Sequence, residues 1–288
     1  MTSSCTNIGQ KSLSIGGVEI RNRAFLAPLS GVSDAPFRRL AWKFGAGMVV
    51  SEMVASEALT TGQEEMRLKV ENAGLPVHIV QLAGKDAQWM RKATLIAEQS
   101  GAHLIDINMG CPSKRVTNGY AGSALMRDLD QARTLVDAVI EAASVPVTLK
   151  MRLGWDENSI NAPRLAELAE DAGVRMITVH GRTRNQFYGG KANWDRVADV
   201  RSATALPLIV NGDIATVADA RAAMAASGAD GVMIGRASHG APWLPGQIGA
   251  ALDGLAEPER PVGNAFAQMI AEHYEEMLSH YGTDLGIR

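Results

Sequence analysis

The sequence is poor in the residues that would tie it to a special class of protein. Its 288 residues include two cysteines, Cys5 and Cys111, too few for a disulfide framework and at a spacing that matches no zinc site. A reducing cytoplasm is therefore the expected location, and no metal centre is expected. No apolar run approaches the ~20 residues a spanning helix needs, and the N-terminal MTSSCTNIGQKSL lacks the apolar stretch of a signal peptide. No membrane partner is expected. Basic residues are not in excess: 28 Lys+Arg stand against 31 Asp+Glu, a net charge of −3. That balance argues against a dedicated nucleic-acid binder, while leaving room for a local basic face. Low-complexity tracts are absent, and there is no internal repeat beyond the strand–helix unit described next.

What the chain does have is rhythm. Short apolar runs fall at 24–27, 48–51, 77–81, 104–108, 147–151, 176–180, 208–211 and 231–235. Segments of helical periodicity separate them: Leu129, Ala132, Leu135, Val136, Val139 and Ile140 share one face, as do Leu165, Ala166, Leu168, Ala169 and Ala172. Asp128 or Asp130, Asp86 and Thr216 stand where N-caps belong, and Gly101, Gly173 and Gly228 where helices end. Eight continuous apolar strands alternating with helices imply parallel strands buried on both faces. That count in just over 200 residues fits a (β/α)8 TIM barrel better than an open doubly wound sheet. The weakest units are the first helix, after Asp34, and the stretch 52–76. Val18-Glu19-Ile20 reads as a short extra strand. After Arg236 the pattern changes: residues 241–262 carry four prolines, suggesting a short helix and a linker. Phe266, Met269, Ile270, His273, Tyr274, Met277, Leu278 and Tyr281 then form a helical stripe that must find a partner. The expected division is a barrel over 1–240 and a C-terminal helical domain over 241–288.

In a barrel of this kind chemistry is built at the C-terminal strand ends. Those ends supply Pro28, Leu29, Ser30 and Gly31; Ser51 and Glu52; Gln81; Asn108 and Cys111; Lys150 and Arg152; His180 and Arg182; Asn211, Gly212 and Asp213; and Gly235 and Arg236. Polar ends on apolar strands follow from solvation alone, so the coincidence of eight matters more than any member. Asn211-Gly212-Asp213 and Gly235-Arg236 follow strands seven and eight, where barrels commonly hold a phosphate; ordinary turn chemistry is the alternative. Lys150 would suit the edge of a flavin that becomes anionic on reduction, or would simply snorkel to solvent. Cys111 lies between Gly110 and Pro112 at a strand end read as stopping at Asp106 and Asn108. It could be a small buried hydrophobe or, since a thiol of ordinary pKa is mostly protonated at neutral pH, a proton donor.

The segments LAPLSGVSDAPFR (26–38), SEM (51–53), DINMGCPSKRVTNGYAGSALMRD (106–128), VTLKMRLGWD (147–156), ITVHGRTRNQFYGGKANWD (177–195), NGDI (211–214) and DGVMIGRASHGAPW (230–243) resemble the tRNA-dihydrouridine synthase family. The B-type bacterial branch is the nearest, and the resemblance covers residues from about 15 to the end. It implies an FMN enzyme that reduces the C5–C6 double bond of a uridine in the tRNA D-loop with electrons from NADPH. Hydride would reach C6 from the flavin, and Cys111 would protonate C5 from the opposite face. By motif match, Pro28, Leu29, Ser30, Gln81, Lys150, His180, Asn211, Gly212, Asp213, Gly235 and Arg236 would hold FMN. Asn108 and Arg182, with Arg152 or Arg127, would touch the uracil. Leu29 departs from the methionine usual in the family, a volume-conserving change. The family also continues past position 288, so its helical domain is expected to be only partly present.

The resemblance recasts the charge pattern. Lys114, Arg115, Arg127, Arg152, Arg182, Arg184 and Lys191 all sit in strand-end loops, so an acidic chain could present a basic active face. Tyr120, Trp155, Phe187 and Tyr188 are candidates to stack on a base drawn out of its loop. A monomer is expected. The competing functions are a flavin oxidoreductase acting on a free pyrimidine and a non-catalytic RNA-binding regulator.

Overall fold

The structure, a computed structural model, describes residues 13–287; Cys5 and the rest of the N-terminal stretch lie outside them. The chain opens with a hairpin of β1 (Leu13–Ile15) and β2 (Val18–Ile20). Its turn is Gly16-Gly17, with φ of 58° and 91°, the left-handed pair that a tight two-residue hairpin requires. The strand expected at 18–20 is thus one arm of a pair.

The strand–helix alternation follows. In order come β3 (Ala24–Leu26), α1 (Ala35–Lys43), β4 (Met48–Val49), β5 (Met53–Ala55), α2 (Ser56–Thr60), α3 (Glu64–Val70), β6 (Ile79–Ala83) and α4 (Ala87–Gln99). Next are β7 (Leu104–Met109), α5 (Lys114–Thr117), a 3-10 turn (Gly122–Arg127), α6 (Leu129–Ala142), β8 (Val147–Arg152) and α7 (Ala162–Ala172). Then come β9 (Ile177–His180), α8 (Asp195–Ala203), β10 (Leu208–Asn211), α9 (Val217–Ser227) and β11 (Gly231–Ile234). Nine parallel strands pair in the order β4-β3-β11-β10-β9-β8-β7-β6-β5. β4 pairs with β3 and β5 with β6, so the run 48–55 is one barrel strand broken in the middle. At the break the Ser51 N–H still donates to the Ile79 carbonyl at 3.1 Å, and Ser51 Oγ accepts from the Gln81 N–H at 3.0 Å. The ring therefore closes as a (β/α)8 TIM barrel, with its second strand longer than the 48–51 run suggested.

The helix signals are realised in detail. Asp34, Asp86, Asp128 and Thr216 each accept a first-turn N–H as N-caps, which settles the choice at 128 or 130 for Asp128. Gly173 and Gly228 close their helices in the left-handed region. The 52–76 stretch resolves into β5 and two short helices, α2 and α3.

Inside the barrel the composition changes along the axis. At the floor, Phe25, Met48, Ile79, Leu104, Met176, Ile209 and Met233 pack with Ile15 and Ile20 of the hairpin, which plugs the N-terminal end. One layer up, Gln81, Asp106 and Thr148 lie in register, then Asn108, Lys150 and Thr178. All six are buried. β7 does not stop at Asp106 or Asn108: it runs to Met109, and both polar residues point inward while Ile105 and Ile107 face the helices.

Beyond β11 a short 3-10 turn (Arg236–Ser238) leads to α10 (Leu244–Leu252), which packs on β3 and α9. α11 (Gly263–Tyr281) lies against α1, and α12 (Thr283–Gly286) follows. The stripe of α11 divides. His273 meets the Phe37 ring edge-on, and the Tyr281 hydroxyl donates to Asp34 at 3.1 Å. Phe266, Ile270 and Tyr274 remain exposed. Among the described residues no helix is long and apolar enough to cross a membrane.

Candidate active site

The strand ends converge on a polar mouth. From β6, Gln81 donates to Asp106 at 2.6 Å and accepts from Asn108 at 2.8 Å. Thr148 donates to the other Asp106 oxygen at 2.6 Å. Asn108 Oδ1 in turn accepts the N–H groups of Gly110 (3.2 Å) and Cys111 (2.9 Å), tying the cysteine loop to the barrel wall. Buried amides need such partners, since an unpaired one costs about 1–3 kcal/mol.

Lys150 lies beside this row and is 8% exposed. Its ammonium donates to Asn211 at 3.1 Å, and Asn211 donates to the Met233 carbonyl at 2.7 Å. Burial, with Arg152 adding repulsion, pushes the Lys150 pKa down to about 8, against the pull of Asp106 and Cys111. His180 is driven well below its usual range, first by burial and then by the cations Arg152, Lys150, Arg182 and Arg236. It is a neutral imidazole at physiological pH. Burial raises the Asp106 pKa, against the bonds from Thr148 and Gln81.

Arg152 and Arg182, each 1% exposed, turn most of their donors onto backbone, and Arg182 Nη1 also lies 3.3 Å from His180 Nε2. Arg152 binds the carbonyls of Gly110, Thr183 and Phe187, each at 2.8 Å. Arg182 binds those of Gly189 (3.0 Å) and Gly190 (2.8 Å), and also pairs with Asp213. Together they clamp the long loop after β9 and join it to Gly110, beside Cys111. Asp213, in the left-handed region at φ 55°, also accepts the Ala192 N–H at 2.8 Å and Arg236 at 3.3 Å. Burial raises its pKa, but Ala192 and Arg182 outweigh that and hold it below the usual carboxylate value. Gly212 is needed as glycine: φ is 114°, and a Cβ would stand 2.8 Å from Ala192 Cβ and 3.0 Å from the His180 ring.

Cys111 is a free, half-buried thiol. Its carbonyl accepts from the Ser123 N–H (3.1 Å) and hydroxyl (2.8 Å). Gly122 lies so close that a Cβ there would sit 2.9 Å from the Cys111 oxygen, with φ at 61°. Leu29 adjoins Gly235, 3.8 Å from where a Cβ would be, so the loops after β3 and β11 meet; Pro28 is half-buried and Ser30 exposed. Arg236 is exposed and lies over Tyr188. Arg127 and Arg184 both lie over Trp155, while Tyr188, 52% exposed, carries Arg152 and Arg236 over its ring and Tyr120, 68% exposed, stays open.

Two members of the constellation are not evident in the sequence. Asp106 looks there like a strand end, although the alternation Asp106, Asn108 inside an apolar run marks an inward face. Thr148, Lys150 and Arg152 repeat that alternation on β8, and it is this repeat that exposes Thr148.

The mouth suits an anionic, acceptor-rich ligand. The Lys150 ammonium, with three N–H groups, makes one hydrogen bond. Thr178 Oγ1, its neighbour in register, and Ser238 Oγ, just past Gly235-Arg236, are buried without partners. Those donors fit a flavin ring and its phosphate. Among the described residues no group of three or more His, Cys, Asp or Glu side chains could hold a metal ion.

A closed parallel barrel with a buried lysine, a neutral histidine and a loop cysteine at its strand ends defines a TIM-barrel enzyme. The fold recurs in solved structures at low identity. A variant of NCR from Zymomonas mobilis aligns with TM-score 0.61 and 17% identity, covering 89% of this chain and 94% of that one. A morphinone reductase mutant in complex with tetrahydroNAD aligns with TM-score 0.58 and 17% identity, covering 89% and 93%. Residues 25–288 match the family model described as Dihydrouridine synthase (Dus), and the chain belongs to that family. A "Probable tRNA-dihydrouridine synthase" of Rhizobium leguminosarum bv. phaseoli is 53% identical over 271 residues, 94% of this chain and 83% of that protein. "tRNA-dihydrouridine synthase B" of Pseudomonas syringae pv. tomato is 42% identical over 281 residues, 95% and 82% of the two chains.

Proposed function

We propose that this protein is a flavin-dependent oxidoreductase that reduces a uridine of the tRNA D-loop to dihydrouridine, with FMN as cofactor and NADPH as reductant. The observation that carries the reading is the pairing, at the neighbouring ends of β8 and β7, of a buried and under-bonded Lys150 with Cys111 on an anchored loop. FMN held there, once reduced by NADPH, would supply a hydride to uracil C6. Lys150, with Asn211 fixing its direction, places a positive charge where the ring gathers negative charge. His180 stays neutral and hydrogen-bonds without adding a further cation. Leu29 and Pro28 pack on one side, and the loops of Gly212 and Gly235-Arg236 receive the phosphate.

Cys111 Sγ gives its proton to C5 of the uracil, completing addition across the double bond. General acid catalysis of this kind contributes roughly 10²–10⁴-fold. Arg152 and Arg182 hold the walls of the substrate slot through the loop carbonyls, and Arg152 Nη2, which makes no hydrogen bond, is left to reach the uracil. Asn108 places the Cys111 loop and keeps one N–H free for the base. The exposed Lys114, Arg115, Lys191 and Arg236 line the rim for phosphates, and Tyr120 offers an open face on which an extruded base stacks. The barrel over 1–240 carries the chemistry, and the helices over 241–288 help to grip tRNA. The enzyme works as a monomer in the cytoplasm.

The test is Cys111→Ala. The variant should be yellow and should oxidise NADPH like the parent. Its dihydrouridine formation on unmodified tRNA should fall by about 10²-fold or more. Undiminished turnover would remove Cys111 from its role, and a parent protein that stays colourless with added FMN would remove the flavin.

A further inference from the structure

The cysteine loop is connected to the barrel interior by one unbroken chain of hydrogen bonds, and its polarity is fixed at both ends. It begins at the Gly110 and Cys111 N–H groups, which can only donate, so Asn108 must turn Oδ1 toward them. Asn108 Nδ2 then faces Gln81 Oε1 at 2.8 Å, and Gln81 Nε2 faces Asp106 Oδ2 at 2.6 Å. Each amide passes the polarity on, and the chain closes only if the group beyond Gln81 accepts. Asp106 does, and Thr148 holds its second oxygen at 2.6 Å, fixing the carboxyl plane. All four side chains are buried, so water cannot mend a broken link.

We propose that Asp106 is a positioning residue for Cys111: the terminal acceptor that sets the orientation of both amides and thereby the place of the cysteine loop. It touches neither the loop nor the thiol and acts through Gln81 and Asn108. The charged group facing it is Lys150, from β8; β6 presents Gln81 and β7 itself presents Asn108. The catalytic importance of the relay rests on Cys111 as the acid, but its existence does not, so the test reads the position of the thiol and not turnover.

The experiment follows alkylation of Cys111 by iodoacetamide, site-resolved by mass spectrometry, in the purified protein between pH 6 and 9. Each variant rate is divided by the parent rate at the same pH, so that the ratio reports only what the substitution changes. In Gln81→Glu two carboxyls face each other where one hydrogen bond stood. They can share a proton in acid but not in alkali. The ratio should therefore be near one at the acid end and rise about tenfold toward the alkaline end, as the loop loosens. Adding Asp106→Asn turns the pair round. The new amide donates to the carboxylate introduced at position 81, and its oxygen still accepts from Thr148. That carboxylate in turn still accepts from Asn108. The double variant should return to a flat ratio near one.

If the single and double variants show the same pH course, Asp106 is not the terminal acceptor. Should Gln81→Glu fail to fold, Asp106→Asn against Asp106→Leu decides. The amide can still accept and should alkylate like the parent, while leucine cannot and should alkylate about tenfold faster. Equal rates for these two would overturn the proposal. Because no flavin chemistry is read, failure here leaves the Cys111→Ala result standing, and the reverse also holds.

Discussion

A lysine kept under the mouth of a barrel should weaken the fold that carries it, and Lys150 allows the size of that cost to be worked out. Its pKa falls from 10.5 to about 8 in the folded state, chiefly through burial. A lysine whose folded pKa lies below its unfolded value binds its proton more weakly in the native state, so protonation favours unfolding. The penalty is fully present below about pH 8 and fades as pH rises toward 10.5. At about 1.4 kcal/mol per unit it amounts to about 3 kcal/mol in flavin-free protein at pH 7. Lys150→Met keeps the aliphatic stem and removes the charge, but strands Asn211 Oδ1, which costs about 1–3 kcal/mol. The net expectation is a gain of about 1 kcal/mol at pH 7, or roughly 2–4 °C in Tm. At about pH 10 the parent lysine is largely relieved, and only the stranded amide remains in the balance. There the variant should be the less stable of the two. Urea melts of both proteins, stripped of flavin, at the two pH values measure this crossing. A stability difference that does not change between them would refute the account of Lys150 as a strained cation. Flavin titration of the same variant should show the other side of the exchange, a loss of affinity.

Gly122→Ala forces a left-handed residue and a methyl into the Cys111 carbonyl; it should lower stability by roughly 1–3 kcal/mol in denaturant melts and speed Cys111 alkylation. Arg152→Lys keeps a charge but cannot reach the Gly110, Thr183 and Phe187 carbonyls together. It should cost about 2 kcal/mol or more, and dihydrouridine formation should fall even with flavin content matched to the parent.

The sequence displayed the barrel because parallel strands buried on both faces read as continuous apolar runs, and caps such as Asp86 and Thr216 mark helix starts chemically. It did not display β1, because Leu-Ser-Ile is too short to carry a period and forms a strand only against Val18–Ile20. Nor did it show the break between β4 and β5, where the Ser51 hydroxyl stands in for a ladder acceptor. At the site, Lys150, Asn211 and Cys111 were legible by position. The roles of Arg152 and Arg182 were not. A strand-end arginine looks the same in sequence whether it faces a ligand or folds back, and what decides is how many carbonyls the next loop leaves without a donor. The loop after β9 leaves four such carbonyls: Thr183 and Phe187 for Arg152, Gly189 and Gly190 for Arg182.

That use of arginine bears on what the mouth will accept. Burial first, and then Arg152, Lys150, Arg182 and Arg236 around it, hold His180 neutral, and Asp213 answers Arg182 and Arg236. Of the other strand-end acids, Asp106 has its pKa raised by burial, and Glu52 is tied to the Gly31 N–H and faces Lys69. The interior near the strand ends therefore carries more positive than negative charge, and burial leaves that excess poorly screened. A neutral ligand would leave Lys150 uncompensated. One that carries a phosphate and takes on further negative charge as it is reduced would answer both Arg236 at the rim and Lys150 within. The arginine clamps thus serve twice: they shape the loops around Cys111, and they supply the field that makes an anionic, electron-accepting cofactor the natural occupant.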